Sequence, residues 1–288
     1  MYPAGEAEVS SRHISLPNGE RIHVAESGPR DGAPVLLCHG WGACVYGWAG
    51  TLPVLAAAGY RAIAVDLRGH GRSDGGDPAS AYTTPAMTAQ LAAIIDALGI
   101  DRPVIAGHSM SGRLALQYAL DRPGKVRGLA LLAPIGVGSV RPSVKHLGLP
   151  LLALGAWLGP LAVRRWMIAM VISAATGRLR RPPPRDIDEY WSATQWGKYC
   201  RATHALLRDF DWRALGATVI ATLPVPTVIV LGELDPLVCI DHRDTLAQRL
   251  APQRVVMIDG AGHIVTDEAT PQVNAEILAL LRLVASGD

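Results

Sequence analysis

Residues 107–112 read Gly-His-Ser-Met-Ser-Gly, directly after the apolar run Pro103-Val104-Ile105-Ala106. Small residues on both sides of Ser109 let a buried strand turn sharply, so its hydroxyl is expected to stand free at the apex. A serine hydroxyl is a weak nucleophile alone. It needs a base, an acid to orient that base, and donors for the charge that builds on the substrate oxygen. Gly260-Ala261-Gly262-His263 follows the apolar run 255–258. An imidazole on such a loop can take a proton from serine and return it to a leaving group. Leu231-Gly232-Glu233-Leu234-Asp235-Pro236 ends another run. Asp235, farther into that loop than its rival Glu233, is the expected orienting acid. The loop after 128–133, Ala133-Pro134-Ile135-Gly136, offers no carboxylate. His39-Gly40-Trp41-Gly42 follows the run 35–38, and its glycines let backbone amides approach a substrate oxygen. The amides of Trp41 and Met110 are the expected oxyanion donors, each such donor being worth about 3–4 kcal/mol.

These residues need a scaffold that gathers strand ends at one rim. Strand-like runs fall at 20–26, 35–38, 61–66, 103–107, 128–133, 225–231 and 254–258. Helical patterns lie between them. Thr84-Pro85 opens one that Gly99 stops, 114–120 ends before Pro123, 241–250 ends before Pro252, and Thr270-Pro271 opens the last, with Val273, Ile277, Leu280 and Leu281 on one face. Alternating strands and helices predict an α/β fold: a mostly parallel central sheet with helices on both faces. Ligands in such sheets bind beyond the carboxyl ends of the strands, where the candidate residues fall. No convincing strand is read between 137 and 222. That region holds the apolar stretch Leu147–Val163, an Arg-Pro segment and a helix-like piece over 186–210. The expected division is a core of 1–136 and 223–288 with a helical cap, 137–222, inserted. The stretch 147–163 contains Pro150, Pro160 and three glycines, which argues for a pocket-lining lid over a spanning helix.

The 288 residues are 49% hydrophobic and carry a formal net charge of +2, which gives no electrostatic case for nucleic acid or an anionic membrane. Cys38, Cys44, Cys200 and Cys239 show no CxxC or metal-ligand spacing and are read as reduced thiols of a cytoplasmic protein. The first residues lack a basic segment followed by an apolar one, so no signal peptide is expected. Gly69-His70-Gly71-Arg72-Ser73-Asp74 fails as a dinucleotide loop because Asp74 stands in place of the third glycine. His70, His108 and His39 are read as packing or bracing residues. Arg178, Arg180, Arg181 and Arg185, interleaved with Pro182–Pro184 and Asp186, Asp188 and Glu189, read as a solvated loop.

The nucleophile–acid–base order Ser109, Asp235, His263, with the loops at 39–42, 66–74, 107–112 and 232–235, resembles the α/β-hydrolase fold superfamily, serine hydrolase branch, over residues 13–284. One departure is Ser111, where that family usually has glycine. The resemblance implies a serine hydrolase that cleaves a carboxylic ester or lactone of a small apolar molecule and needs no cofactor or metal. Its expected pocket, beside Trp41, uses Cys44, Trp157, Trp166, Met170, Leu237, Val238 and Ile264. No nucleic acid and no stable membrane insertion are expected, and the oligomeric state is open. Alternatives remain: a C–C bond hydrolase of diketone-like substrates, a cofactor-free perhydrolase, or a non-catalytic binding protein. Relatives that open epoxides or carbon–halogen bonds use an aspartate nucleophile, and Ser109 argues against them.

Overall fold

The computed structural model describes residues 9–75, 79–137, 139–140, 163–215, 223, 225–239 and 254–286. Within these, the strands are β1 (Ser10–Ser15), β2 (Arg21–Ser27), β3 (Pro34–Cys38), β4 (Arg61–Val65), β5 (Val104–His108), β6 (Gly128–Leu132), β7 (Ser139–Val140), β8 (Thr227–Gly232), β9 (Val238–Cys239) and β10 (Arg254–Ile258). The α-helices are α1 (Leu52–Ala57), α2 (Thr84–Ala97), α3 (Met110–Asp121), α4 (Arg165–Ala175), α5 (Pro184–Thr194), α6 (Gly197–Asp209), α7 (Val265–Glu268) and α8 (Thr270–Ala285).

Eight strands form one sheet in the order β1-β2-β4-β3-β5-β6-β8-β10. The β1/β2 and β2/β4 pairs are antiparallel. The pairs from β4/β3 to β8/β10 are parallel. The central strands are apolar apart from residues at their ends, such as Arg61, His108 and Thr227, because both faces are covered. Successive side chains alternate between two cores. Leu36, Ile63, Ile105 and Leu131 pack on one face with Met87 and Leu91 of α2 and Leu114 of α3. Val35, Leu37, Ala106 and Val230 pack on the other with Leu52 and Leu55 of α1 and Ile277 and Leu281 of α8. The fold is therefore the mostly parallel α/β sheet with helices on both faces that the alternation predicts.

Several details differ from the expectation. β1 has no signature in the sequence, because Ile14 is the one buried residue in Ser10–Ser15 and leaves no apolar period. The cap of α2 is Thr83, whose Oγ1 accepts from the Ala86 amide, rather than Thr84. A short strand, β7, lies in the region read as strandless and pairs with β9. The helical piece read over 186–210 is two helices, α5 and α6, because Trp196 is extended (φ −89°, ψ 124°). α6 joins the main core through Ala202, Ala205, Leu206 and Leu207. The helix expected at 241–250 and all of the stretch 147–163 except Val163 lie outside the described residues. No helix among the described residues is long and apolar enough to cross a membrane.

Candidate active site

β5 ends at His108, and Ser109 follows at φ +52°, ψ −113°, as the residue before α3. A non-glycine residue in this region stores roughly 1–3 kcal/mol of strain, so its surroundings must impose it. The Ser109 amide donates to Leu132 O at 2.8 Å, and its carbonyl accepts from the amides of Gly112 (2.9 Å) and Ile135 (3.0 Å). The flanking glycines have no alternative. A Cβ on Gly107 would lie 2.5 Å from Ser111 O, and one on Gly112 2.4 Å from Pro134 Cβ. Gly112 therefore permits the close turn, and Ser111 fits because its own hydroxyl is bonded, to His39 O at 2.5 Å.

Ser109 Oγ lies 2.8 Å from His263 Nε2, and His263 Nδ1 lies 2.8 Å from Asp235 Oδ2. A carboxylate only accepts, so Nδ1 carries the proton and Nε2 is left to accept from the serine hydroxyl. Asp235 Oδ1 accepts from the amides of Leu237 (2.8 Å) and Val238 (2.9 Å). Burial pushes the Asp235 carboxyl up. The charge and hydrogen bond of His263 and the two amides outweigh burial, and the group ends below the usual carboxylate range. Glu233 is exposed and its Oε2 accepts from the Gly260 amide at 2.8 Å. Asp235, not Glu233, therefore meets the imidazole.

Three more histidines surround this chain. His108 is buried and donates from Nε2 to His263 O at 2.9 Å. Burial, then the charge of His263, pulls its pKa down to about 3, so it stays neutral. His39 donates from Nδ1 to Gly40 O (2.7 Å) and accepts the Leu67 amide at Nε2 (3.0 Å). His70 donates to Arg68 O (3.0 Å) and accepts the Gly42 amide (3.2 Å). Its pKa falls to about 3, by burial and then the charge of His39. His39 and His70 thus brace the loop 40–42. Asp66, fully buried, holds the other end of that loop by accepting from the Val45 amide (2.8 Å), while its Oδ2 takes Arg72 N (2.9 Å) and His23 Nδ1 (2.7 Å). Among the described residues the amides of Trp41 and Met110 donate to no protein acceptor, the latter because it sits in the first turn of α3.

Ser109 and His263 open into a cavity of about 160 Å³. Trp41, Leu237 and Ile264 line its core side, with Trp41 Nε1 tied to Thr203 O at 2.9 Å. Ile168, Val171, Ile172 and Ala175 of α4, with Tyr190 and Tyr199, line the opposite side. The tyrosine hydroxyls are engaged elsewhere, Tyr190 on Asp267 Oδ2 and Tyr199 on Gly42 O, each at 2.8 Å.

Of the expected pocket residues, Leu237 and Ile264 are in place. Trp166 and Met170 are not: they are 61% and 60% exposed, on the side of α4 away from the cavity. Cys44 is buried behind the wall against Tyr46, Ile172 and Tyr190. Val238 contributes its amide to Asp235, not its side chain to the cavity. Trp157 lies outside the described residues. Cys38, Cys44 and Cys200 are free buried thiols, and burial pushes the first two up to about 12; the side chain of Cys239 lies outside the description. In the arginine-rich segment, Arg180 pairs with Asp186 at 2.9 Å, while Arg178 and Arg181 are exposed.

A family model described as the alpha/beta hydrolase fold matches residues 33–158. Epoxide hydrolase A of Mycobacterium tuberculosis (strain ATCC 25618 / H37Rv) is 28% identical over 305 aligned positions, spanning 92% of this chain and 95% of its own. A non-heme chloroperoxidase of Streptomyces lividans is 33% identical over 153 positions, 53% of this chain and 55% of its own. The crystal structure of carboxylesterase CesB from Bacillus subtilis matches with a TM-score of 0.78 at 20% identity, covering 96% of this chain and 92% of that one. The sheet order, the match over residues 33–158 and the structural likeness together show that the chain has the α/β-hydrolase fold.

Proposed function

We propose that this hydrolase cleaves a carboxylic ester or lactone of an apolar small molecule through an acyl-enzyme on Ser109. The observation that carries the reading is the unbroken chain Ser109 Oγ–His263 Nε2 (2.8 Å) and His263 Nδ1–Asp235 Oδ2 (2.8 Å) at one end of an apolar cavity. Ser109 Oγ attacks the carbonyl carbon while its proton passes to His263 Nε2. The oxyanion lies against the amides of Trp41 and Met110, which donate to no acceptor among the described residues. Collapse expels the alcohol, which takes the proton from Nε2. Water then gives a proton to Nε2 and attacks the acyl carbon; the acid leaves and Ser109 regains its proton. Residues 1–136 and 223–288 act as the catalytic core, and 137–222 as a cap whose helix α4 shapes the acyl site.

The likeness to an epoxide hydrolase does not shift this assignment. Serine attack on an epoxide carbon would leave an ether on Ser109, which a base-activated water does not cleave. Attack on an ester leaves an acyl group that the same water removes. The likeness to a chloroperoxidase supports a second outcome at this site, transfer of the acyl group to hydrogen peroxide to give a peracid.

The test is fluorophosphonate labelling and a p-nitrophenyl ester chain-length series on wild type and Ser109→Ala. Labelling at Ser109 is expected, with loss of at least about 10³-fold in turnover in the variant. Wild-type turnover in Ser109→Ala overturns the assignment. A folded wild type that binds esters without turning them over points to the binding-protein alternative.

A further inference from the structure

We propose that Glu268 is a positioning residue: its carboxylate clamps the loop carrying His263 to residues 175–178, so α4 holds the base as well as lining the cavity. The inference rests on reading His263 as that base. Glu268, the last residue of α7, is buried. Its Oε2 accepts from the Gly177 amide at 2.6 Å and the Gly262 amide at 3.1 Å, and its Oε1 lies 3.2 Å from the latter. Two backbone bonds continue the seam: His263 N to Ala175 O at 2.8 Å and Arg178 N to Gly260 O at 2.7 Å.

The seam has no slack. A Cβ on Gly177 would fall 2.2 Å from Gly260 O, and one on Gly262 2.4 Å from Gly177 N. Asp235 fixes the tautomer and one edge of the imidazole, but it does not hold the backbone that carries the ring. The Ala261–Gly262 peptide is held by Glu268 through the Gly262 amide, and the next one, through the His263 amide, by Ala175. Because Ile168, Val171, Ile172 and Ala175 of the same helix face the cavity, an acyl chain that fits against α4 also seats the base. Poor fit should therefore lower kcat, and not merely raise KM.

Glu268→Ala and Glu268→Gln are compared with wild type by ester turnover, fluorophosphonate labelling rate and thermal melting. Misplacement of the base in Glu268→Ala is expected to cost roughly 10²-fold in kcat and labelling rate, with KM little changed. Glu268→Gln keeps an amide oxygen able to accept from Gly177 and Gly262, and is expected to recover most of both rates. Gly177→Ala leaves Glu268 intact but drives a Cβ into Gly260 O, and is expected to reproduce the kcat loss. A folded Glu268→Ala that labels at the wild-type rate overturns the clamp. If that variant does not fold, Gly177→Ala decides, and a wild-type labelling rate there also overturns it. Retained turnover in Ser109→Ala or His263→Ala is the separate signature of a failed base assignment.

Discussion

The Ser111 hydroxyl donates to the His39 carbonyl at 2.5 Å, joining the turn that presents Ser109 to the loop that carries Trp41. The two segments supply the proposed nucleophile and one proposed oxyanion donor, so this bond sets their spacing. Ser111→Ala removes a fully buried donor. A loss of about 1–3 kcal/mol in unfolding free energy is expected, with lower kcat, and is measured by urea denaturation beside ester turnover. An unchanged midpoint would show that the bond contributes nothing to stability.

The two carboxylates of the 232–235 loop make opposite predictions. Asp235→Asn puts an amide opposite His263 Nδ1 and favours the wrong tautomer, for an expected kcat loss on the order of 10⁴-fold. Glu233→Gln changes an exposed side chain whose bond is to the Gly260 amide, and turnover should stay near wild type. The reverse ranking in steady-state kinetics would mean that the wrong carboxylate carries the role.

Chain-length preference should follow one side of α4. Ile168→Ala and Ile172→Ala enlarge the cavity, and the best p-nitrophenyl ester is expected to shift to a longer acyl chain. Ile172 is buried, so its truncation should also cost about 2–5 kcal/mol of stability. Trp166→Ala and Met170→Ala act on the exposed side, where no shift in the profile is expected. A shift in the second pair but not the first would place the acyl site elsewhere.

Asp267 gives a stability prediction with a definite sign. Burial pushes its carboxyl up to about 7, with the nearby Asp186 adding to the rise; the hydroxyls of Tyr190 and Thr266 and the charge of Arg180 act against it. The folded protein therefore holds a proton that the unfolded chain, with an ordinary value of 3.8, has already lost. Its contribution to stability grows as pH falls from about 7 towards 3.8 and is lost as pH rises through 7. Asp267→Asn should flatten the change in melting temperature between pH 5.5 and 8.5. An identical slope in wild type and variant would remove Asp267 as its source.

What could be read before the fold was known follows from where information is local. Ser109, Asp235 and His263 each follow a strand end inside a short glycine-bearing run, and that local pattern marks them, although what demands several of the glycines is distant: a Cβ on Gly112 would meet Pro134 and one on Gly262 would meet Gly177. The pocket wall is not legible in the sequence, for a different reason. α4 reads Arg-Trp-Met-Ile-Ala-Met-Val-Ile-Ser-Ala-Ala, apolar nearly all round, and nothing in it sets which side faces inwards. Trp166 and Met170 have the right i, i+4 period but the wrong phase; Ile168 and Ile172 have both. Glu268 was invisible because its partners, Gly177 and Gly262, come from distant parts of the chain and engage through backbone amides that leave no side-chain signature.

The left-handed backbone of Ser109 has a further consequence. Glycine adopts φ +52° freely, so Ser109→Gly should fold more tightly than either wild type or Ser109→Ala, by an amount of order 1 kcal/mol, while losing all turnover. At this one position durability and reactivity select opposite residues. A screen for heat resistance alone would drift towards an inert protein.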